Sequence, residues 1–464
     1  MTADLHYLSL ADVARRLRAR ELSSLDTTRA VLARIETLDP ALKAYATVTA
    51  KQALADAAQC DAEIATGKPR GPLHGVPIAV KDLCNTAGIP TAAGMAIHRT
   101  NVPGTDATVV TRLKAAGAVI LGKLQMTEGA FGAHHPSIAA PRNPWNTAYW
   151  PGTSSSGSGV ATAAGLCFGS LGSDTGGSIR FPSTMNGLTG LKPTWGRVSR
   201  AGVFPLADSL DHVGPMARSA LDAALLLGAI AGADRDDPTT SPLPVPDYAA
   251  GIGIGVRGNR IGMPKDLADL DADVRRVLDG AIAAFRAAGA VIDDVALPEC
   301  FAQGARDWVP LCAVETALAH ETTYPSRAGE YGPVLAALID QGRRLSAVEY
   351  ARLQARRAAL TGALTTLMAS MDFLLMPVMG RAAWSVAALE QAGRDPETVA
   401  ARLRYTAPFD LSGQPTLTLP GGMTREGIPV GFQIVGRAFD EAGILAAGHA
   451  YQQLTDWHLK RPGL

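Results

Sequence analysis

Between residues 71 and 124 the chain passes from an apolar run to an amphipathic segment and back to an apolar run. No other feature of its 464 residues limits the fold as strongly. The stretch GPLHGVPIAV (71–80) ends strand-like, immediately before Lys81 and Asp82. Residues 105–116 have helical spacing, with Thr105 or Asp106 at the start, and AVILGKL (118–124) reads as a buried strand. Strand, helix and strand in succession predict an α/β fold, with a central sheet covered by helices on both faces. The rest of the chain agrees. Residues 8–36 read as amphipathic helices with Ser9 as N-cap before Leu10, residues 273–289 as a helix, and AVIDDVALP (290–298) as a strand. Residues 341–370 read as one long helix leading into the apolar strand FLLMPVM (373–379). The Pro-rich stretch DRDDPTTSPLPVPDY (234–248) reads as a surface crossing within a single domain spanning 1–464.

Composition excludes several classes of function. Hydrophobic residues make up 47% and charged residues 19%, a globular balance. With 43 basic and 43 acidic side chains, nothing steers the chain to nucleic acid or to an anionic membrane. The N-terminal segment has no basic start followed by an unbroken apolar run, and no stretch approaches the roughly 20 apolar residues of a spanning helix, so a cytoplasmic location is expected. The five cysteines form no CxxC pair, which predicts neither a disulfide framework nor a thiolate metal site. GIGIGVRG (251–258) looks like a dinucleotide loop, but a Pro-rich connector precedes it where a strand is required. No cofactor and no metal are expected.

The chemistry concentrates in residues 151–183, PGTSSSGSGVATAAGLCFGSLGSDTGGSIRFPS. In Asp174-Thr175-Gly176-Gly177-Ser178, glycines immediately precede a serine. They allow a sharp turn and close approach of substrate to the main chain, and successive N–H groups there can converge on one oxygen. A serine in this setting still needs a base. No histidine stands in a recognisable triad context. Lys81, at the end of an apolar run, is the apt alternative, because burial favours the neutral amine.

The segments HGVPIAVKD (74–82), GTSSSGSG (152–159) and GSDTGGSIRFPS (172–183) together resemble the amidase signature family. The order agrees, lysine before two serines, and Ser154 and Ser178 lie 24 positions apart as in the family. The similarity continues through residues 191–219 and 412–436 and so covers nearly the whole chain. It implies a large mixed central sheet, a signature core over 61–220 and a helical pocket or cover region over 300–365. It also implies roles. Lys81 would be the neutral base, Ser154 the relay serine preceded by a cis peptide, and Ser178 the nucleophile. The N–H groups of Thr175, Gly176, Gly177 and Ser178 would form the oxyanion hole. Asp174 and Arg180 would be a buried pair fixing the loop, and Glu128, Thr153 and Ser154 would contact substrate. Two positions depart from the family pattern, Thr153 and Ser156, where glycine is usual, and the added serines make Ser155 a rival relay.

The implied reaction is cleavage of a carbon–nitrogen bond in a small or aryl amide, anilide or carbamate. It would pass through an acyl-enzyme on serine and release ammonia or an amine. The implied partner is a small-molecule amide, with a homodimer as a family-level expectation. A second reading is the glutaminase (A) subunit of the tRNA-dependent amidotransferase complex, which has the same signature. His212 in SLDHVGP has no second ligand at metal-like spacing, and Gly413, Gln414 and Gln433 read as structural.

Overall fold

The computed structural model describes residues 5–392 and 395–464. The N-terminal segment weighed above includes residues 1–4, which lie outside the described residues. Among the described residues eleven strands form one mixed sheet. In chain order they are β1 (Tyr45–Val48), β2 (Pro77–Lys81), β3 (Val119–Leu124), β4 (Ser170–Asp174), β5 (Thr189–Lys192) and β6 (His212–Ala217). There follow β7 (Arg260–Pro264), β8 (Val291–Val295), β9 (Phe373–Pro377), β10 (Thr416–Met423) and β11 (Pro429–Val435). The spatial order is β1-β3-β2-β4-β6-β5-β10-β11-β9-β7-β8.

Every residue of β2, β3, β4, β5, β6, β9 and β11 is buried. In a strand, successive side chains point to opposite faces, so this pattern requires layers on both sides. The outermost strands β1 and β8 carry exposed residues instead. Two features of the order position the site. β2 lies parallel to β4 with Val80 opposite Leu171, so Lys81 ends its strand beside Ser173 and Asp174. β5 pairs antiparallel with β10, joining the N-terminal half of the sheet to the C-terminal half.

The helix Leu10–Arg18 begins as expected, with Ser9 Oγ accepting from the Asp12 amide at 3.0 Å. Two helix boundaries differ from the sequence reading. The helix expected over 105–116 starts only at Thr108, and neither Thr105 nor Asp106 caps it. Asp106 instead accepts from the Ala87 amide at 2.8 Å and pairs with Lys114 Nζ at 2.7 Å, so its carboxylate is already engaged. The single helix expected over 341–370 is two, Pro333–Arg344 and Ala347–Met368. Ser346 and Glu349 form a reciprocal capping box that begins the second. Both pack on the helix Phe301–Ala319. Gly342 makes this possible, because a Cβ there would meet the Ala313 carbonyl oxygen at 1.9 Å.

The connector 234–248 is pinned to the body. Asp234 Oδ2 accepts from Thr108 Oγ1 and Ser199 Oγ, each at 2.6 Å, and Tyr248 is buried. All five cysteines are free, and all but Cys300 are buried. Among the described residues no helix is long and apolar enough to cross a membrane.

Candidate active site

Lys81 ends β2 fully buried. Its Nζ lies 2.7 Å from Ser154 Oγ and 2.8 Å from both Ser155 Oγ and Ser173 Oγ. Burial lowers its pKa to about 7 from 10.5, against smaller opposing effects of Cys84, Asp174 and Asp211. The amine is therefore within reach of its neutral form near neutral pH. The three hydroxyls are not equivalent. Ser155 Oγ donates to the Ser173 carbonyl at 3.1 Å and accepts from the Ser173 amide at 3.2 Å, which ties it to β4. Among the described residues Ser154 Oγ and Ser173 Oγ have no partner but Lys81, so the protons of these two hydroxyls are free to move while that of Ser155 is committed. The Thr153–Ser154 peptide is cis. The sequence reading does not include Ser173. The signal for it lies in the parallel register of β2 and β4, which a linear motif does not display.

The loop after β4 is organised by Asp174. Its carboxylate accepts from the amides of Gly177 (2.5 Å), Ile179 (3.0 Å) and Arg180 (3.3 Å), and from Arg180 Nε and Nη2 at 3.0 and 2.9 Å. Burial opposes its ionisation, but the Arg180 guanidinium overcomes burial and holds the carboxyl far below the usual range. Arg180, itself fully buried, also donates to Asp410 Oδ2, to the Thr406 carbonyl at 2.9 Å and to Gln433 Oε1 at 3.3 Å. The sequence reading names Asp174, Arg180 and Gln433 but not Thr406 or Asp410. Nothing local marks those two, because their partner is more than two hundred residues away.

This arrangement changes one assignment. The Gly177 amide, expected in the oxyanion hole, is given to Asp174. Among the described residues the amides of Thr175, Gly176 and Ser178 have no protein acceptor, so three donors remain where four were expected. Thr175 is held by its side chain, whose Oγ1 donates to Asp211 Oδ1 at 2.6 Å. The Asp211 carboxylate also accepts from Leu206 and Ala207, and burial pushes its pKa up to about 6. His212 lies beneath the loop with Nε2 3.2 Å from Lys192 Nζ. Burial holds its pKa well below the ordinary value, so the ring is neutral. Among the described residues no group of three or more His, Cys, Asp or Glu is placed to hold a metal ion.

Ser178 and Thr153 open onto a cavity of about 880 Å³. Its walls are largely apolar, with Phe131, Trp150, Phe181, Trp308 and Leu338 among them. Four charged side chains also line it, Arg306, Glu390, Glu397 and Arg402. Arg306 and Glu397 pair with each other at 3.1 Å and are 49% and 73% exposed, which places them at the solvent mouth. Glu128, expected to contact substrate, does not line this cavity. Both of its carboxylate oxygens accept from the Gly332 amide at 3.0 Å, at the start of the helix Pro333–Arg344. The Ser178 hydroxyl is without a protein partner among the described residues, and the Ser155 amide donates to the Ser178 carbonyl at 3.3 Å, joining the two serine loops.

Comparison with known proteins gives four findings. A family model described as Amidase matches residues 26–445. The protein named "Putative amidase AmiD" of Mycobacterium bovis is 52% identical over 462 residues, covering 98% of this chain and 96% of that one. The A subunit of the glutamyl-tRNA(Gln) amidotransferase of a Geobacter species is 40% identical over 484 residues, covering 98% and 99%. Among solved structures, the native peptide amidase of Stenotrophomonas maltophilia superposes with a TM-score of 0.82 at 32% identity, covering 96% of each chain.

Proposed function

The chain belongs to the amidase signature family and is an amide hydrolase, and on that premise we propose that Ser178 is its nucleophile, Ser154 its proton relay and Lys81 its base. The observation that carries this reading is the environment of Lys81. It is a buried amine with its pKa near 7, in contact with three hydroxyls. That of Ser155 is committed to β4, and of the other two Ser154 is the one in the loop joined to Ser178, next to Ser155, whose amide donates to the Ser178 carbonyl.

In the neutral state the two amine N–H groups are given to Ser155 and Ser173, and the lone pair accepts from Ser154. Substrate binding brings the Ser178 hydroxyl to Ser154. Ser178 Oγ then attacks the carbonyl carbon as its proton passes to Ser154 and the Ser154 proton to Lys81. The oxyanion is met by the amides of Thr175, Gly176 and Ser178. Return of a proton through Ser154 to the leaving nitrogen allows the C–N bond to break, which matters because an amide anion is a very poor leaving group. Water attacks the acyl-enzyme by the same proton path. Full-length similarity to amidotransferase A subunits favours a second reading, a glutaminase working in a complex. Against it, glutamine brings a charged amino-acid end, whereas the wall near Ser178 is apolar and the paired charges lie at the mouth.

The experiment is product release from primary amides, anilides, carbamates and p-nitrophenyl esters, with the wild type beside Ser178→Ala. Cleavage of one class by the wild type alone supports the assignment and names the class. Full activity in Ser178→Ala would remove it. Glutamine hydrolysis that appears only when amidotransferase partner subunits and tRNA are added would establish the second reading.

A further inference from the structure

Trp308 stands in two environments at once. Its ring lines the cavity, nearly parallel to Phe131, with an interplanar angle of 17° and ring centroids 6.5 Å apart. Its Nε1 donates to the Thr175 carbonyl at 2.6 Å, and Gly176 packs so closely that a Cβ there would meet the indole at 2.6 Å. The Thr175–Gly176 peptide is planar and trans, so its C=O and N–H point in opposite directions. Fixing the carbonyl on the indole therefore fixes where the Gly176 N–H points. The adjoining peptide behaves in the same way. Thr406 Oγ1 donates to the Gly176 carbonyl at 2.7 Å, and the Gly177 N–H on the other side is directed to Asp174. Of these two amides, Gly176 N–H has no protein acceptor among the described residues, whereas Gly177 N–H is taken by Asp174.

We propose that Trp308 reads the substrate. An uncharged aromatic group within a few bonds of the scissile carbonyl lies against its ring beside Phe131, and its indole N–H aims the Gly176 amide at the developing oxyanion. This rests on Ser178 as nucleophile. Trp308 is thus a positioning residue as well as a wall, and the substrate class is an amide carrying a neutral aromatic group rather than a small aliphatic amide. Preference for the aryl substrate then appears partly in kcat, because the ring that holds the group also holds the donor.

The test separates the two duties with benzamide, acetanilide and acetamide as amide probes and p-nitrophenyl benzoate as ester probe. Trp308→Phe retains a ring but loses the donor. Its kcat should fall about 10- to 100-fold on every probe with KM nearly unchanged, as for loss of part of an oxyanion hole. Phe131→Leu removes the stacking partner without touching the loop. It should raise KM about three- to tenfold more for the aryl probes than for acetamide, with a smaller change in kcat than Trp308→Phe produces. Phenylboronic acid, which forms a tetrahedral adduct on the serine, should weaken in Trp308→Phe in step with kcat, while benzoate, the product, should not. A merely structural tryptophan would lower thermal stability without splitting boronate from benzoate affinity. Unchanged kcat in Trp308→Phe, or a wild type that turns over acetamide as fast as benzamide, overturns the proposal. Activity in Ser178→Ala overturns the nucleophile assignment instead, so the two failures are distinguishable.

Discussion

The floor of the site and its roof are built on opposite terms. The floor consists of Lys81, Ser154, Ser155, Ser173, Asp174 and Arg180. All are buried, and they are held by hydrogen bonds between neighbouring strands and the following loop. The roof is formed by Phe301–Ala319, Pro333–Arg344 and the segments 386–390 and 396–403. It contributes ring faces, aliphatic side chains and a solvent-exposed ion pair. In the floor a polar group out of place leaves an unpaired partner in a dry interior, which is costly. In the roof an apolar residue can be exchanged for another of similar volume at small cost. On the proposed mechanism the contrast separates the duties of the molecule: the floor fixes the reaction and the roof chooses what undergoes it, with Trp308 as the roof residue that also holds a floor peptide.

Four results bear on this contrast. The largest effect is expected from Ser178→Ala, which should lower kcat by at least about 10⁴-fold while leaving the melting temperature near that of the wild type. Next comes Lys81. On the proposed mechanism its neutral form is the active one, and with a pKa of about 7 kcat/KM should climb as pH rises through about 7 and level off above it. Lys81→Met should lose about 10³-fold or more of kcat. It should also change how stability depends on pH. The unfolded chain keeps Lys81 protonated up to 10.5 while the fold releases that proton near 7, so between these values the unfolded state binds more protons. Wild-type stability should therefore gain with rising pH over that window, a slope absent from Lys81→Met in thermal melts. Third, Arg180→Met leaves Asp174 buried without its partner and should cost about 3–5 kcal/mol in denaturant unfolding. Glu128→Ala removes the carboxylate at the start of one roof helix. It should cost only about 1 kcal/mol, with kcat within a few-fold of wild type. A loss of activity in Glu128→Ala as large as that in Lys81→Met would show that roof and floor are not separable in this way.

What can be read from the chain alone follows the same division. Lys81, Ser154 and Ser178 stand in short runs of glycine, serine and apolar residues whose chemistry needs those types in that order, so linear reading finds them. The general α/β pattern is legible because some buried strands, β3 (VILGKL) and β9 (FLLMP) among them, are largely apolar runs, whereas β4 (SLGSD) and β5 (TGLK) are not. Ser173, Thr406 and Asp410 are not legible, because register and long-range closure bring them to the site. The break between Arg344 and Ala347 is legible in principle, as Ser346 and Glu349 have capping-box spacing, but continuous helical periodicity on either side conceals it. Gly177 is misassigned by linear reading because its identity only permits the turn. Which acceptor takes its amide depends on where the Asp174 carboxylate sits. Glu128 is misplaced because its partner is the backbone of Gly332, which no side-chain pattern announces.

The pairing of β5 with β10 also bears on how the enzyme is made. A ribosome releases Lys81, Ser154 and Ser178 early, but an unfinished chain that stops short of Thr406 leaves Arg180 without Thr406, Asp410 and Gln433, and β5 with an open hydrogen-bonding edge. Such an edge is a template for association with other chains. Hydrolytic competence therefore arrives only with the last part of translation. In a nascent chain Ser178 sits in a loop whose Arg180 still lacks its C-terminal partners, and the open edge of β5 is covered only when β10 arrives.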